Sequence, residues 1–281
     1  MNFISEILPG ILSRKPSGIL YHYTSAEGLL GICQTKKLWA SNIHYLNDSK
    51  EYAHALDLLR SEIKSRIHQK IGDNTLLIRL YELLERIEQV TVFLCSFSEV
   101  GDLLSQWRGY CPPGRGYSIG FAADQLDTIA SAQGYSLIPC IYREEEQNKV
   151  IKSVIDETET RYSKSYTTNR DEFEIFFMGA VVSIAPLIKH ESFSEEREWR
   201  LSIFPRPEAV ADTNFRVGKR SLIPYRQIDL NNSQGKMKIA DIYVGPTENQ
   251  QLAGRAVASC FYVNGVSWGG LQYSKTPFRG W

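Results

Sequence analysis

Leu20-Tyr21-His22-Tyr23-Thr24, near the front of the chain, runs straight into Ser25-Ala26-Glu27-Gly28-Leu29-Leu30-Gly31-Ile32. The first five residues have the apolar, aromatic-rich pattern of a strand, and Thr24 with Glu27 three positions later has the form of a capping box that opens a helix. His22 is therefore predicted to stand at a strand-to-helix corner, where folds commonly present a side chain to a ligand.

Downstream of the corner, Lys37-Leu38-Trp39-Ala40-Ser41 reads as a short strand and Asn47-Asp48-Ser49-Lys50-Glu51 as a second capped helix start. Tyr52, Leu56, Leu59, Ile63 and Ile67 follow at helical spacing, and a further helix over about Asn74 to Gln89 completes a helical hairpin. Val92 to Phe97 is a β-rich apolar run. A short helix carries Leu103, Leu104 and Trp107, and strands follow at 117 to 121 and 135 to 142. Helices are predicted around Val150 to Tyr162 and from Phe173, with Pro186 helping to end the second. The remainder is strand-heavy, at about 198 to 204, 221 to 230, 239 to 244 and 271 to 278, with a helix opened by a capping box within Gly245 to Gln250. Helices and strands alternate without a βαβ rhythm, so the predicted class is α+β, a mixed and largely antiparallel sheet with flanking helices.

Composition narrows the function. The 281 residues are 43% apolar and 23% charged, and no linker or repeat divides them, so the reading is a single domain over residues 1–281 with a helical hairpin inserted at about 48–90. Lys+Arg and Asp+Glu both number 32, so no global charge draws the molecule to nucleic acid or an anionic membrane. The five cysteines lack C-x-x-C spacing and suit a reducing cytosol. The start lacks the pattern of a signal peptide, and the longest apolar run, Ile175 to Ile188, falls short of the roughly 20 residues of a membrane span. The expected location is cytoplasmic, away from membranes.

The chain has no P-loop, no H-E-x-x-H and no zinc-like His/Cys spacing, so no metal is expected. Gly116-Tyr117-Ser118-Ile119-Gly120 fits G-x-S-x-G, but the turn at Pro112 to Gly116 precedes the motif and a strand continues after it. A nucleophile elbow needs the reverse order. A serine hydrolase using Ser118 is thus the third reading.

Five blocks occur in order: His22-Tyr23-Thr24, Cys95-Ser96-Phe97-Ser98, Gln106-Trp107-Arg108-Gly109-Tyr110 through Phe121, Glu196-Arg197-Glu198-Trp199-Arg200, and Ser274 to Arg279. Their order resembles a widespread bacterial family of domains of unknown function, which is itself similar to ADP-ribosyltransferases, including toxins that modify DNA. The resemblance implies an ADP-ribosyltransferase-like fold and NAD as substrate. It gives His22 to the ribose or adenosine part of NAD, and Tyr23, Tyr45, Ser96 and Ser98 to the nicotinamide pocket. Glu198 becomes the main catalytic carboxylate, with Glu196 guiding the acceptor. Ser96-Phe97-Ser98 is similar to the S-T-S of arginine-directed transferases but departs from it at Phe97.

The residue types support that division of labour. Loss of nicotinamide leaves an oxocarbenium-like ribose, against which a carboxylate is worth most in the transition state. An alternating strand would put Glu196 and Glu198 on one face. Arg108, with Arg115 and Arg200, has the guanidinium that suits a pyrophosphate. Thr24 belongs to the family block as a candidate NAD contact, while its local reading is a helix cap. The resemblance also implies a macromolecular acceptor, protein or nucleic acid, a toxin or anti-phage setting, and a neutralising partner. The alternative is a catalytically silent module that binds a nucleotide, a nucleic acid or a protein on the same fold.

Overall fold

The computed structural model describes residues 14–46, 49–69, 72–165, 172–203, 212–218 and 221–277. β1 (Ile19–Ser25) passes without a loop into α1 (Ala26–Thr35). Ser25, not Thr24, caps this helix: its Oγ accepts from the Gly28 amide at 3.1 Å. The capping-box reading of Thr24 and Glu27 is displaced by one residue because β1 stays paired as far as Ser25↔Gly116, which makes Ser25 the last extended residue. Thr24 remains in the strand, and its Oγ1 occupies the space above Gly28, where an added Cβ would meet it at 2.0 Å.

The chain continues through β2 (Lys37–Asn42), α2 (Ser49–Gln69), α3 (Thr75–Ile87), β3 (Phe93–Ser98), α4 (Leu104–Tyr110) and β4 (Gly116–Ala122). Then come α5 (Ala123–Ala132), β5 (Ser136–Pro139), α6 (Glu144–Ser165), α7 (Glu172–Ile184) and β6 (Glu198–Ile203). β7 (Asn214–Val217), β8 (Leu222–Asp229), β9 (Lys238–Ile239), β10 (Asp241–Val244), α8 (Gln250–Val263), β11 (Ser267–Trp268) and β12 (Leu271–Tyr273) follow. Asn47 and Asp48, read as a cap from sequence, lie outside the described residues. The cap of α8 is Asn249, whose Oδ1 accepts from the Leu252 amide at 2.9 Å, so the box expected from Thr247 to Gln250 does not form the helix start.

Among the described residues, ten strands form one sheet in the order β12-β10-β4-β1-β3-β2-β8-β7, with β6 on β3 and β5 on β6. Every pairing in it is antiparallel except β10 with β12, so the α+β, largely antiparallel expectation holds. Alternation along the strands sends Leu20, Phe97, Ile119, Phe121, Trp199 and Leu201 to one face, where α1, α5 and α8 cover them. On the other face Leu94 and Ile138 meet α2, α3, α6 and α7 in a second core. The predicted hairpin is therefore built into a four-helix layer. Tyr21, Tyr23 and Trp107 form a small third cluster beside it. Among the described residues, no helix is long and apolar enough to cross a membrane.

One branching of this sheet creates the site. β6 pairs with β3 along its whole length, Phe93↔Ile203 to Ser98↔Glu198. The remaining edge of β3 is shared: β1 meets it only at Tyr21↔Ser98, and β2 only at Ser41↔Leu94 and Asn42↔Phe93. Between those two anchors the strands part.

The cap assignment is testable. Ser25→Ala should lower stability by about 1 kcal/mol, read as a shift of the urea midpoint at unchanged m-value; an unchanged midpoint would return the cap to Thr24.

Candidate functional site

A cleft of about 130 Å³ opens where β1 and β2 part along β3, lined among others by His22, Tyr23, Trp39, Ser96, Gln106 and Tyr110. His22 Nδ1 lies 3.0 Å from the Ser96 carbonyl. A carbonyl only accepts, so Nδ1 carries the proton and the neutral ring keeps Nε2 as an acceptor. Burial pushes the imidazole below its ordinary pKa, against the opposing pull of the Ser96 bond, so the ring is neutral at pH 7. The ring packs on Phe97 at 5.7 Å between centroids, which fixes its plane. Tyr23 contributes its ring, while its hydroxyl donates to the Val100 carbonyl at 2.7 Å and accepts from the Leu103 amide at 3.0 Å.

The wall opposite β1 comes from β2. Trp39 is 44% exposed and stacks on Tyr225 with centroids 4.5 Å apart, and Arg216 approaches the same indole at 5.9 Å. From α4, Gln106 and Tyr110 stand one helical turn apart and line the cleft together. Gln106 is only 7% exposed, yet among the described residues its carboxamide has no hydrogen-bond partner. Trp39 and the roles of Gln106 and Tyr110 are not marked by the sequence blocks; the i,i+4 spacing of the last two is the one signal the sequence offers.

α4 is held from below by Asp102. Its carboxylate accepts from Trp107 Nε1 at 2.8 Å, Ser274 Oγ at 2.5 Å, the Lys275 amide at 2.8 Å and Thr276 Oγ1 at 3.3 Å. Burial would raise the Asp102 pKa, but these donors outweigh it and hold the carboxyl below the usual range.

The two predicted carboxylates lie on the other side of β3, in a buried ion cluster. Lys189 Nζ contacts Glu196 at 2.5 Å and Glu198 at 2.6 Å, and Arg200 binds Glu198 through Nε at 2.7 Å and Nη2 at 3.1 Å. Glu51 adds a third carboxylate 3.3 Å from Arg200, and Arg200 also donates to the Pro186 carbonyl. The Glu198 amide donates to Tyr142 Oη at 2.8 Å. Burial alone would raise the Glu198 pKa, but Arg200 and Lys189 bring it down to about 2. These contacts join three carboxylates to two cations.

Glu196 and Glu198 do converge, but not as alternate residues of a strand. Glu196 ends a 3-10 turn (Glu191–Glu196), Arg197 takes a left-handed conformation with φ 42°, and the strand starts only at Glu198. Lys189 draws the two carboxylates together. It was missed from sequence, although a single lysine closing an apolar run is a mark of a buried ion partner.

The remaining predicted residues divide. Ser96 borders the cleft and sits opposite Arg200 across the β3–β6 pair. Ser98, opposite Glu198, is used structurally: its Oγ donates to the Glu196 carbonyl at 2.6 Å and accepts from the Val100 amide at 3.0 Å. Thr24 packs against α1, and Tyr45 is an exposed residue of the 3-10 turn Ile43–Tyr45, so neither lines the cleft. Arg108 faces a separate apolar pocket of about 630 Å³ with Leu104, Trp107 and Pro277. Arg200 is taken up by the ion cluster, and Arg115 is exposed beside Glu27. Ser118 is fully buried in the middle of β4, between Tyr23 and Tyr243, with no elbow.

A depressed carboxylate pKa stabilises the fold above the unfolded value and loses that contribution as pH falls through the folded one. With Glu198 moved from 4.5 to about 2, wild-type stability should decline on acidification from about pH 5 to pH 2, and Glu198→Gln should remove that part of the decline in urea titrations at several pH values. Lys189→Met should cost about 3 to 5 kcal/mol at pH 7, as expected when one partner of a buried pair is deleted.

Comparisons with curated proteins and with solved structures returned no match. Residues 106–201, from Gln106 at the cleft to Leu201 in β6, match a family model described as a protein of unknown function (DUF2971).

Proposed function

We propose that the chain is an NAD-using, ADP-ribosyltransferase-like enzyme in which the cleft along β3 takes the nicotinamide end of NAD. The observation that carries this reading is the orientation of His22: the Ser96 carbonyl holds Nδ1, which leaves Nε2 as a fixed acceptor for a ribose hydroxyl. Cleft size and lining agree with the role. A space of about 130 Å³ with aromatic walls is on the scale of a single six-membered ring, since a cavity of about 150 Å³ admits benzene. The ribose and the rest of the dinucleotide then lie outside it, past Trp39 and Arg216.

The ion cluster supplies the electrostatics. When the bond from ribose to nicotinamide breaks, its electron pair goes to the ring nitrogen and the ribose becomes an oxocarbenium. A nucleophile of a macromolecular acceptor, protein or nucleic acid, then attacks and loses its proton. Glu198, with its pKa at about 2, stays ionised and acts as a stabilising charge rather than a proton carrier. Arg200 and Lys189 weaken its field, and the carboxylates of Glu196 and Glu51 share these two cations with it.

A second reading is favoured by one observation: Glu198 is 4% exposed and both its oxygens are engaged by cations, the arrangement of a structural ion pair. On that reading the fold binds the nucleotide without turning it over.

Nicotinamide release from NAD by the purified chain separates the two. The enzyme reading expects release, a loss of at least tenfold in kcat/KM for His22→Ala, and abolition by Glu198→Gln in protein whose circular dichroism is unchanged. NAD binding by calorimetry with no release supports the silent module, and no binding removes both readings.

A further inference from the structure

We infer that Gln106 is the specificity-determining residue of the cleft, selecting a planar ring that carries a carboxamide over the same ring carrying a carboxylate; the inference rests on the nicotinamide reading above. Gln106 is 93% buried by its 7% exposure, and its carboxamide has no partner among the described residues. Its amide atoms are not among the fully buried unpartnered ones, so in the free protein they meet the solvent of the cleft. A ligand that displaces this solvent must replace its hydrogen bonds, which one supplying both a donor and an acceptor does.

The side chain is held where it can do so. Trp107, the next residue, is tied to Asp102 at 2.8 Å, and the Leu103 amide at the start of α4 donates to Tyr23 Oη at 3.0 Å. Both ends of this contact belong to the cleft's own framework, so α4 has a fixed rotation and Gln106 shares its cleft-facing side with Tyr110. The other polar groups of the cleft do not duplicate its role. His22 offers one acceptor, and the Ser96 carbonyl is already occupied by Nδ1.

A glutamine carboxamide has an NH2 donor and a carbonyl acceptor side by side. Facing another carboxamide, it forms two hydrogen bonds in a head-to-head pair. Facing a carboxylate, it keeps the bond from its NH2 but sets its carbonyl against a second oxygen with no hydrogen. Sites built to pair with a polar group reject analogues lacking it far more strongly than apolar pockets do.

The test is calorimetric binding of the full chain to NAD and to its deamidated analogue, in which nicotinate replaces nicotinamide. Wild type is expected to bind NAD at least tenfold more tightly than the acid. Gln106→Ala should weaken NAD and bring the two affinities within about twofold. Gln106→Glu, close in shape, should still accept from the carboxamide NH2 but repel the acid, so its preference for NAD should be at least that of wild type. An undiminished preference in Gln106→Ala, or a preference for the acid in Gln106→Glu, would overturn the assignment while leaving the nicotinamide reading in place. Absence of NAD binding by wild type would overturn both.

Discussion

A strand has two edges, and β3 must satisfy three partners with them. β6 takes one edge from Phe93 to Ser98, so β1 and β2 divide the other, one at each end. The strands on that edge cannot close on each other, and the backbone between the anchors needs a partner from elsewhere because buried carbonyls are rarely left unpaired. His22 provides it for Ser96. The gap in the sheet and the tautomer of the histidine that lines it thus follow from a single shortage of strand edge. Helix α4 and Trp39 then wall an opening that the sheet had already left.

The ion cluster on the far side of β3 answers a different problem, the register between sheet and helices. Glu51 comes from α2, the Pro186 carbonyl and Lys189 from the segment after α7, and Glu198 and Arg200 from β6. Apolar packing between these layers is tolerant of small slides, whereas a buried charge displaced from its partner carries a large desolvation cost. The cluster's value is therefore as much in fixing one arrangement as in net stability. It also keeps the Glu198 carboxylate ionised beside the β3 strand, whose other edge carries the cleft.

Local patterns in the sequence were read correctly where local forces decide. The strand-to-helix corner, the β-rich run of β3, the hairpin of α2 and α3, and the α+β class all emerged from periodicity and turn signals. The cap moved from Thr24 to Ser25 because a cross-strand pair with Gly116, nearly a hundred residues away, sets where β1 stops. α5 went unseen because its start has no side-chain cap, and β7 because its residues lie at an exposed sheet edge with little alternation in burial. Within the site, His22, Tyr23 and Ser96 were legible as members of blocks. Trp39 and Lys189 acquire their roles only through which strands neighbour β3, a property no window of sequence contains. Arg108 was placed by motif membership, but helical rotation sends it away from the face that Gln106 and Tyr110 share.

The clasp at Asp102 gives the molecule an order of assembly. Its donors Ser274, Lys275 and Thr276 lie more than 170 residues downstream, yet they anchor the short helix that walls the cleft. During synthesis the corner at His22 and the strand β3 emerge early, while Asp102 waits for partners that leave the ribosome near residue 276. A nascent chain therefore carries the histidine long before the opposing wall is fixed. The helix that carries Gln106 and Tyr110 is thus tied down by residues synthesised long after it.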